Sequence, residues 1–205
     1  MDSTLCGVEG VDWLAARRGP DVAEQCVRLT QRAMNGELAL EAVYGERLAA
    51  IRPTLRDVAA LSREYRRTLA RGADVALEKL REAGVEIILV SGGIRRAIEP
   101  VAVELGFARD DLFAVELRWD VDGEYVGYDT ESALTTHTGK LEVVRSLRLP
   151  APRLAVGDGA TDVEMRDAVE AFAAYTGFVK RNSVIANADF TVPSFADLVR
   201  RVMPP

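Results

Sequence analysis

The chain has 205 residues, 48% of them hydrophobic, with a mean hydropathy of zero. These values exclude a disordered chain and a tandem array, and they fit one core with an appended or inserted module. Twenty-six basic against thirty-two acidic residues leave a net charge of −6, so the average surface repels nucleic acid and anionic membranes.

From Val11 to Gly72 apolar residues recur at three- and four-residue steps with charges between them, punctuated by Gly19-Pro20, Asn35-Gly36 and Arg52-Pro53-Thr54. This pattern predicts four or five packed amphipathic helices, among them 21–34, 39–51 and 55–70. Beyond Gly72 helices alternate with strands. A helix over 73–83 should stop at Gly84, followed by a buried strand over 85–90 and the turn Ser91-Gly92-Gly93. A helix is expected over 94–105. The β-rich pieces 112–121 and 125–128 flank Asp122-Gly123 as a hairpin. A helix over 140–147 leads to a strand over 153–156, and Gly157-Asp158-Gly159 opens a helix over 161–169. Such alternation implies an α/β, Rossmann-like fold with a mostly parallel sheet, whose ligands bind beyond the strand C-termini.

The two cysteines, Cys6 and Cys26, are too few for a disulfide framework, and no basic stretch followed by an apolar run opens the sequence. A cytoplasmic location is therefore expected. No apolar run approaches the roughly 20 residues that span a bilayer. Neither a membrane nor a nucleic acid is an expected partner, and the residues do not indicate an oligomeric state.

The informative loops lie at the predicted strand ends. Gly157-Asp158-Gly159-Ala160-Thr161-Asp162 has the outline of a nucleotide-binding glycine loop, but its two carboxylates would repel a bare phosphate. A divalent cation between them resolves the conflict, and oxygen ligands of this kind suit Mg²⁺. Asp162 could equally be a dipole partner at an acidic helix N-terminus. Ser91-Gly92-Gly93 offers a hydroxyl and amides to an anion, or is a plain turn capped by Ser91. Lys140 reads on its own as solvated surface, and His137, the single histidine, as a loop residue.

Taken in order, Asp2-Ser3-Thr4, Ser91-Gly92-Gly93, Lys140 and Gly157 to Asp162 resemble the four motifs of the haloacid dehalogenase superfamily of phosphotransferases. Within it the likeness is to the phosphoserine phosphatase family. Asp2 to Leu5 resembles the end of that family's first motif, Glu9 its downstream acidic residue, Met34-Asn35-Gly36 its Met-x-Gly segment and Arg47 its cap arginine. Outside the resemblance, Glu9 and Arg47 read as solvent charges and Met34 as core filler.

The resemblance implies an α/β core over 1–8 and 72–205 with a helical cap over 9–71. It also implies a Mg²⁺-dependent phosphomonoesterase that hydrolyses O-phosphoserine through an aspartyl-phosphate. In that scheme Asp2 is the general acid/base and offers its carbonyl to Mg²⁺, Asp158 is a direct ligand and Asp162 supports it. Ser91, the Gly92 amide and Lys140 neutralise the transferring phosphoryl, while Glu9, Met34, Arg47 and Thr161 join in holding the substrate. The alternatives are a phosphatase for another small phosphomonoester and a non-catalytic phosphate-binding domain of the same fold.

The nucleophilic aspartate of this scheme belongs two residues before Asp2, a position these 205 residues do not contain, and the first core strand is missing with it. The expectation is a reading frame extending about ten residues upstream, a usual strand plus its approach, and ending in an aspartate immediately before Met1. The 205-residue chain by itself is expected to be inactive and poorly soluble, because its unpaired strand edges invite aggregation.

Overall fold

A computed structural model describes residues 1–34, 37–38 and 40–203, with no side chain described at 33, 34, 40 or 41. The helical block forms as predicted: α1 (Gly10–Arg18), α2 (Pro20–Met34), α3 (Leu40–Ile51) and α4 (Leu55–Arg67). Gly19, at φ +136°, turns the chain between α1 and α2, and Pro20 opens α2, a position where its missing N–H costs nothing. A reciprocal box starts α4. Thr54 Oγ1 accepts the Asp57 N–H at 3.2 Å, and the Asp57 carboxylate accepts the Thr54 N–H at 3.1 Å, satisfying two otherwise orphaned donors.

α4 stops three residues before the predicted end. Residues 68–70 leave the helix to bond the first loop, with the Gly7 N–H on the Thr68 carbonyl at 2.9 Å and the Ala70 N–H on the Leu5 carbonyl at 2.7 Å. α5 (Ala73–Glu82) ends as the sequence requires: Gly84 takes φ +80° and the Val85 N–H reaches back to the Leu80 carbonyl at 3.0 Å, a left-handed glycine stop.

The next strand is displaced from its predicted place. β1 spans Leu89–Ile94, so Ser91, Gly92 and Gly93 lie in the strand rather than in a turn after it, and α6 runs Arg95–Glu104. The reason is a bulge. Val90 faces Phe113 while Ile94 faces Val115 on β2 (Leu112–Val115), so the ladder absorbs extra residues on the β1 side and bends there. The predicted strand over 112–121 also divides: β2 pairs in parallel with β1, whereas β3 (Leu117–Trp119) forms an antiparallel hairpin with β4 (Tyr125–Tyr128).

α7 (Gly139–Leu147) leads to β5 (Leu154–Gly157), then to α8 (Ala160–Val163), which is only one turn and continues as a 3-10 segment over Glu164–Ala168. The chain closes with β6 (Ala171–Tyr175), α9 (Asn182–Ala186), β7 (Phe190–Val192) and α10 (Phe195–Val202). β5, β6 and β7 form a parallel sheet in that order. Among the described residues β1 pairs only with β2 and β5 only with β6, so each sheet keeps an unpaired edge.

The core follows from strand alternation. On β6, Phe172 and Ala174 enter a cluster with Leu141, Val144 and Val184, while Ala173 and Tyr175 face the larger one, as side chains on successive strand residues must. That larger cluster joins Leu14, Leu48, Ile51, Leu61 and Tyr65 of the helical block to Leu89, Ile94, Leu112 and Val115. The block therefore shares one apolar interior with the sheet, and residues 1–6 lie at their junction. Cys6 and Cys26 are both free and buried. No helix among the described residues is long and apolar enough to cross a membrane.

Candidate active site

The first loop winds around a single acceptor. The Met1 carbonyl takes the N–H groups of Thr4, Leu5 and Cys6 at 3.4, 2.9 and 3.1 Å, and Ser3 closes the turn at φ +49°, a left-handed conformation uncommon outside glycine. Two hydroxyls are thereby aimed inward: Thr4 Oγ1 donates to Asp158 Oδ1 and Ser3 Oγ to Glu9 Oε1, both at 2.7 Å. Asp2 Oδ2 accepts the Gly10 N–H at 2.9 Å, at the N-terminus of α1 where a negative charge is favoured. Burial pushes the Asp2 carboxyl up, against the Tyr65 hydroxyl and the Gly10 amide. A Cβ at position 10 would fall 2.1 Å from Tyr65 Oη, so only glycine admits this approach.

At the end of β5 the chain folds Asp162 back beneath the strand. A Cβ at Gly157 would meet the Asp162 Cγ at 2.1 Å, which explains the glycine there. Asp162 Oδ2 accepts the N–H groups of Asp158 and Gly159 at 3.1 and 2.9 Å, and Oδ1 accepts from Lys140 Nζ at 2.6 Å. Burial would raise Asp162, yet Lys140 and the amide bonds overrule it and hold the carboxyl below its usual range. Burial would likewise lower Lys140, but Asp162, Asp158 and Asp2 together hold it up. The lysine stands on α7, whose Gly139 packs so closely on the Ala133 carbonyl that a Cβ would lie 1.8 Å away. Asp158 differs: burial and Asp162 push it up, against Thr4 and Arg181.

Arg181, which the sequence analysis did not single out, bridges the acidic groups. Its Nη1 donates to Asp158 Oδ2 and, at 3.3 Å, to the Asp158 carbonyl, and its Nη2 donates to Glu9 Oε1 at 3.0 Å. Nothing local distinguishes Arg181 from Lys180 beside it, because its partners lie far away in sequence. Ser91 is buried with its Oγ accepting the Gly93 N–H at 3.0 Å. Gly92 and Thr161 are half-buried, Thr161 in the first turn of α8. His137 pairs with Glu164 at 3.3 Å.

The expected recognition residues are held by other parts of the chain. Glu9 precedes α1 and holds Ser3 and Arg181, as above. Arg47 on α3 donates through Nη2 to Asp12 on α1, and its Nε is buried without a partner. Tyr44, one turn earlier, is driven up by burial and by the charge of Asp2, with Arg47 opposing. The side chain of Met34 and residues 35–36 lie outside the described residues. Among the described residues, five buried side-chain polar atoms lack a partner, and four of them belong to Asp2, Tyr44, Arg47 and Tyr65. Buried polar atoms normally find one, and here Asp2 and Tyr65 still act on each other, as Arg47 does on the Cys26 thiol.

The model of the haloacid dehalogenase-like hydrolases matches residues 1–167. The chain belongs to the haloacid dehalogenase-like hydrolases. The chloroplastic phosphoserine phosphatase of Arabidopsis thaliana is 35% identical over 206 residues, covering 97% of this chain and 68% of that protein. The human phosphoserine phosphatase is 34% identical over 202 residues, with 97% and 89% covered. A phosphoserine phosphohydrolase-like protein of Francisella tularensis has a similar structure, with a TM-score of 0.84 at 26% identity over 99% of this chain and 97% of that one. The Rossmann-type α/β reading and the phosphatase likeness of this haloacid dehalogenase-like chain are thus both established.

The donor chemistry suits a hard divalent ion. Asp158 is a buried carboxylate already paired with a cation at the end of a strand, the kind of hard oxygen donor that Mg²⁺ takes. Among the described residues no three carboxylate, imidazole or thiol groups gather closely enough to enclose an ion. Asp162 is committed to Lys140 and two amides, and Asp2 turns one oxygen to Gly10. Of the three carboxylates, Asp158 is the one whose oxygens are not fixed by a buried lysine or by backbone amides.

Proposed function

We propose that this haloacid dehalogenase-like chain carries the site of a Mg²⁺-dependent phosphomonoesterase acting on O-phosphoserine. The observation that carries the reading is the charged cluster at the end of β5, where Lys140 holds Asp162, Thr4 and Arg181 hold Asp158, and the Asp2 charge reaches Lys140. The phosphoserine phosphatases among its relatives support the same substrate class.

In this mechanism Asp2, its carboxyl raised by burial, holds a proton for the leaving seryl oxygen and later withdraws one from the attacking water. Lys140 stays charged and, with Ser91 and the Gly92 amide, offsets charge on the transferring phosphoryl, the main task in such transfers. Asp158 and the Asp2 carbonyl would hold Mg²⁺, with Asp162 behind them, and the ion supplies further charge neutralisation. Glu9 takes the substrate ammonium and Arg47 its carboxylate, with Met34 and Thr161 lining the remainder and α1–α4 serving as the cap.

Covalent transfer to an aspartate requires that residue two positions before Asp2. The test compares the 205-residue polypeptide with one in which an apolar strand of about ten residues ending in aspartate precedes Met1. The longer form is expected to hydrolyse phosphoserine only with Mg²⁺, to lose activity in Asp158→Asn, and to exceed the shorter form, which is expected to be inactive. Full turnover in excess chelator or in Asp158→Asn, or equal turnover by the short form, overturns the reading.

A further inference from the structure

We propose that the Arg181 guanidinium is the resident cation of Asp158 and must leave it before a divalent ion can bind there. The inference rests on the metal-dependent reading above and adds a competitor for the metal's place.

Both carboxylate oxygens of Asp158 are occupied. Oδ1 accepts from Thr4 at 2.7 Å and Oδ2 accepts from Arg181, whose Nη1 also reaches the Asp158 carbonyl at 3.3 Å. Asp158 is only 6% exposed, and a buried carboxylate cannot be left charged without a partner. A cation in that place is therefore favoured whenever Mg²⁺ is absent. Arg181 can fill that role reversibly. Its side chain is 35% exposed against 15% for Lys140, and it stands between β6 and α9, outside both. Phe178 anchors the same segment beside Tyr175, at 5.9 Å between ring centroids, so the long side chain can swing while the backbone stays.

Glu9 completes the device. Its Oε1 holds Arg181 Nη2 at 3.0 Å and its side chain is 43% exposed, so the guanidinium keeps one carboxylate when it releases the other. Asp162 has no comparable freedom, because Lys140 and two amides use both of its oxygens. Of the two carboxylates at the end of β5, only Asp158 has a cation that can be exchanged.

The experiment titrates Mg²⁺ alone into the metal-free 205-residue polypeptide by calorimetry. It is run for wild type, Arg181→Gln, Asp158→Asn and Lys180→Ala, each first shown to be folded by circular dichroism. Arg181→Gln is expected to tighten Mg²⁺ binding about tenfold, because no guanidinium has to be displaced. In chelator the same variant should unfold at a lower temperature than wild type, and Mg²⁺ should restore more of its stability. Lys180→Ala removes an exposed charge beside Arg181 and should leave the affinity unchanged.

Unchanged or weaker binding in Arg181→Gln overturns the proposal. Equal tightening in Lys180→Ala does so too, by tracing the effect to the general field. Binding that depends on Asp158 but ignores Arg181 refutes this proposal alone. Binding that survives Asp158→Asn, or is missing from every variant, refutes the metal site itself and the proposal with it.

Discussion

Replacing Lys140 with methionine keeps the apolar stem and removes only the ammonium, so the loss of stability reports the Lys140–Asp162 pair. The two groups meet at 2.6 Å with side chains 15% and 9% exposed, which makes the pair a buried one. Removing one member of such a pair costs about 3–5 kcal/mol, because the remaining charge is left in a poor dielectric. Asp162 retains the Asp158 and Gly159 amides, so a value of about 3 kcal/mol is expected. For a domain of this size that lowers the melting temperature by about 6–12 °C. In Lys140→Met/Asp162→Asn the stranded charge is gone, and the double variant should regain at least half of the loss. The pH dependence has a definite sign. Asp162 lies below its ordinary 3.8, so its contribution is present above that value and fades as pH falls through the depressed one. Lys140 lies above its ordinary 10.5, so its contribution is present below that value and fades as pH rises through the raised one. The difference between wild type and Lys140→Met in thermal and urea unfolding should therefore be flat from about pH 5 to pH 9 and shrink on either side. A loss under about 1 kcal/mol, or a double variant weaker than the single one, would show that the pair does not bind the loop after β5 to α7 as described.

Three further outcomes follow from named contacts. Gly10→Ala places a Cβ 2.1 Å from the hydroxyl of the buried Tyr65 and should destabilise by about 3 kcal/mol in urea; a change within about 0.5 kcal/mol contradicts the packing. Asp57→Asn weakens the box that starts α4 and should cost about 1 kcal/mol at neutral pH. Because burial is overruled there by Thr54 and the arginines and Asp57 lies below its ordinary 3.8, its contribution is present above that value. The difference from wild type in melting temperature should then vanish as pH falls through the lowered value, and a difference independent of pH would refute the cap. In a polypeptide with the aspartate before Met1, Arg47→Ala should reduce kcat/KM for phosphoserine about a hundredfold and for an aryl phosphate far less. Equal losses on both substrates would favour a phosphatase for another small phosphomonoester.

The local rules in the sequence account for much of the fold. Periodicity placed α2 and α3 within a residue or so, the break at Arg52-Pro53-Thr54 marked the start of α4, and Gly84 marked the end of α5, because caps and amphipathic stripes are written in residues a few positions apart. The same locality exposed the Gly157 to Asp162 loop, since a strand end bearing two carboxylates conflicts with phosphate chemistry whatever surrounds it.

Where local pattern was silent, tertiary structure decided. Residues 112–121 have continuous β character, and only their two different partners, β1 on one side and β4 on the other, divide them into β2 and β3. The β1 bulge that draws Ser91 into a strand likewise depends on the ladder with β2. The short alanine-rich run of β6 carries no amphipathic signature because both of its faces are buried. Among the charges, composition gives no pairing. Lys140 finds Asp162 22 positions away, Thr4 finds Asp158 across 154, and Arg181 finds Glu9 across 172. A sequence specifies which groups must lose water locally, but which distant charge meets each of them is settled only when the chain closes, as the desolvated carboxylates accept the cations that the backbone brings within reach.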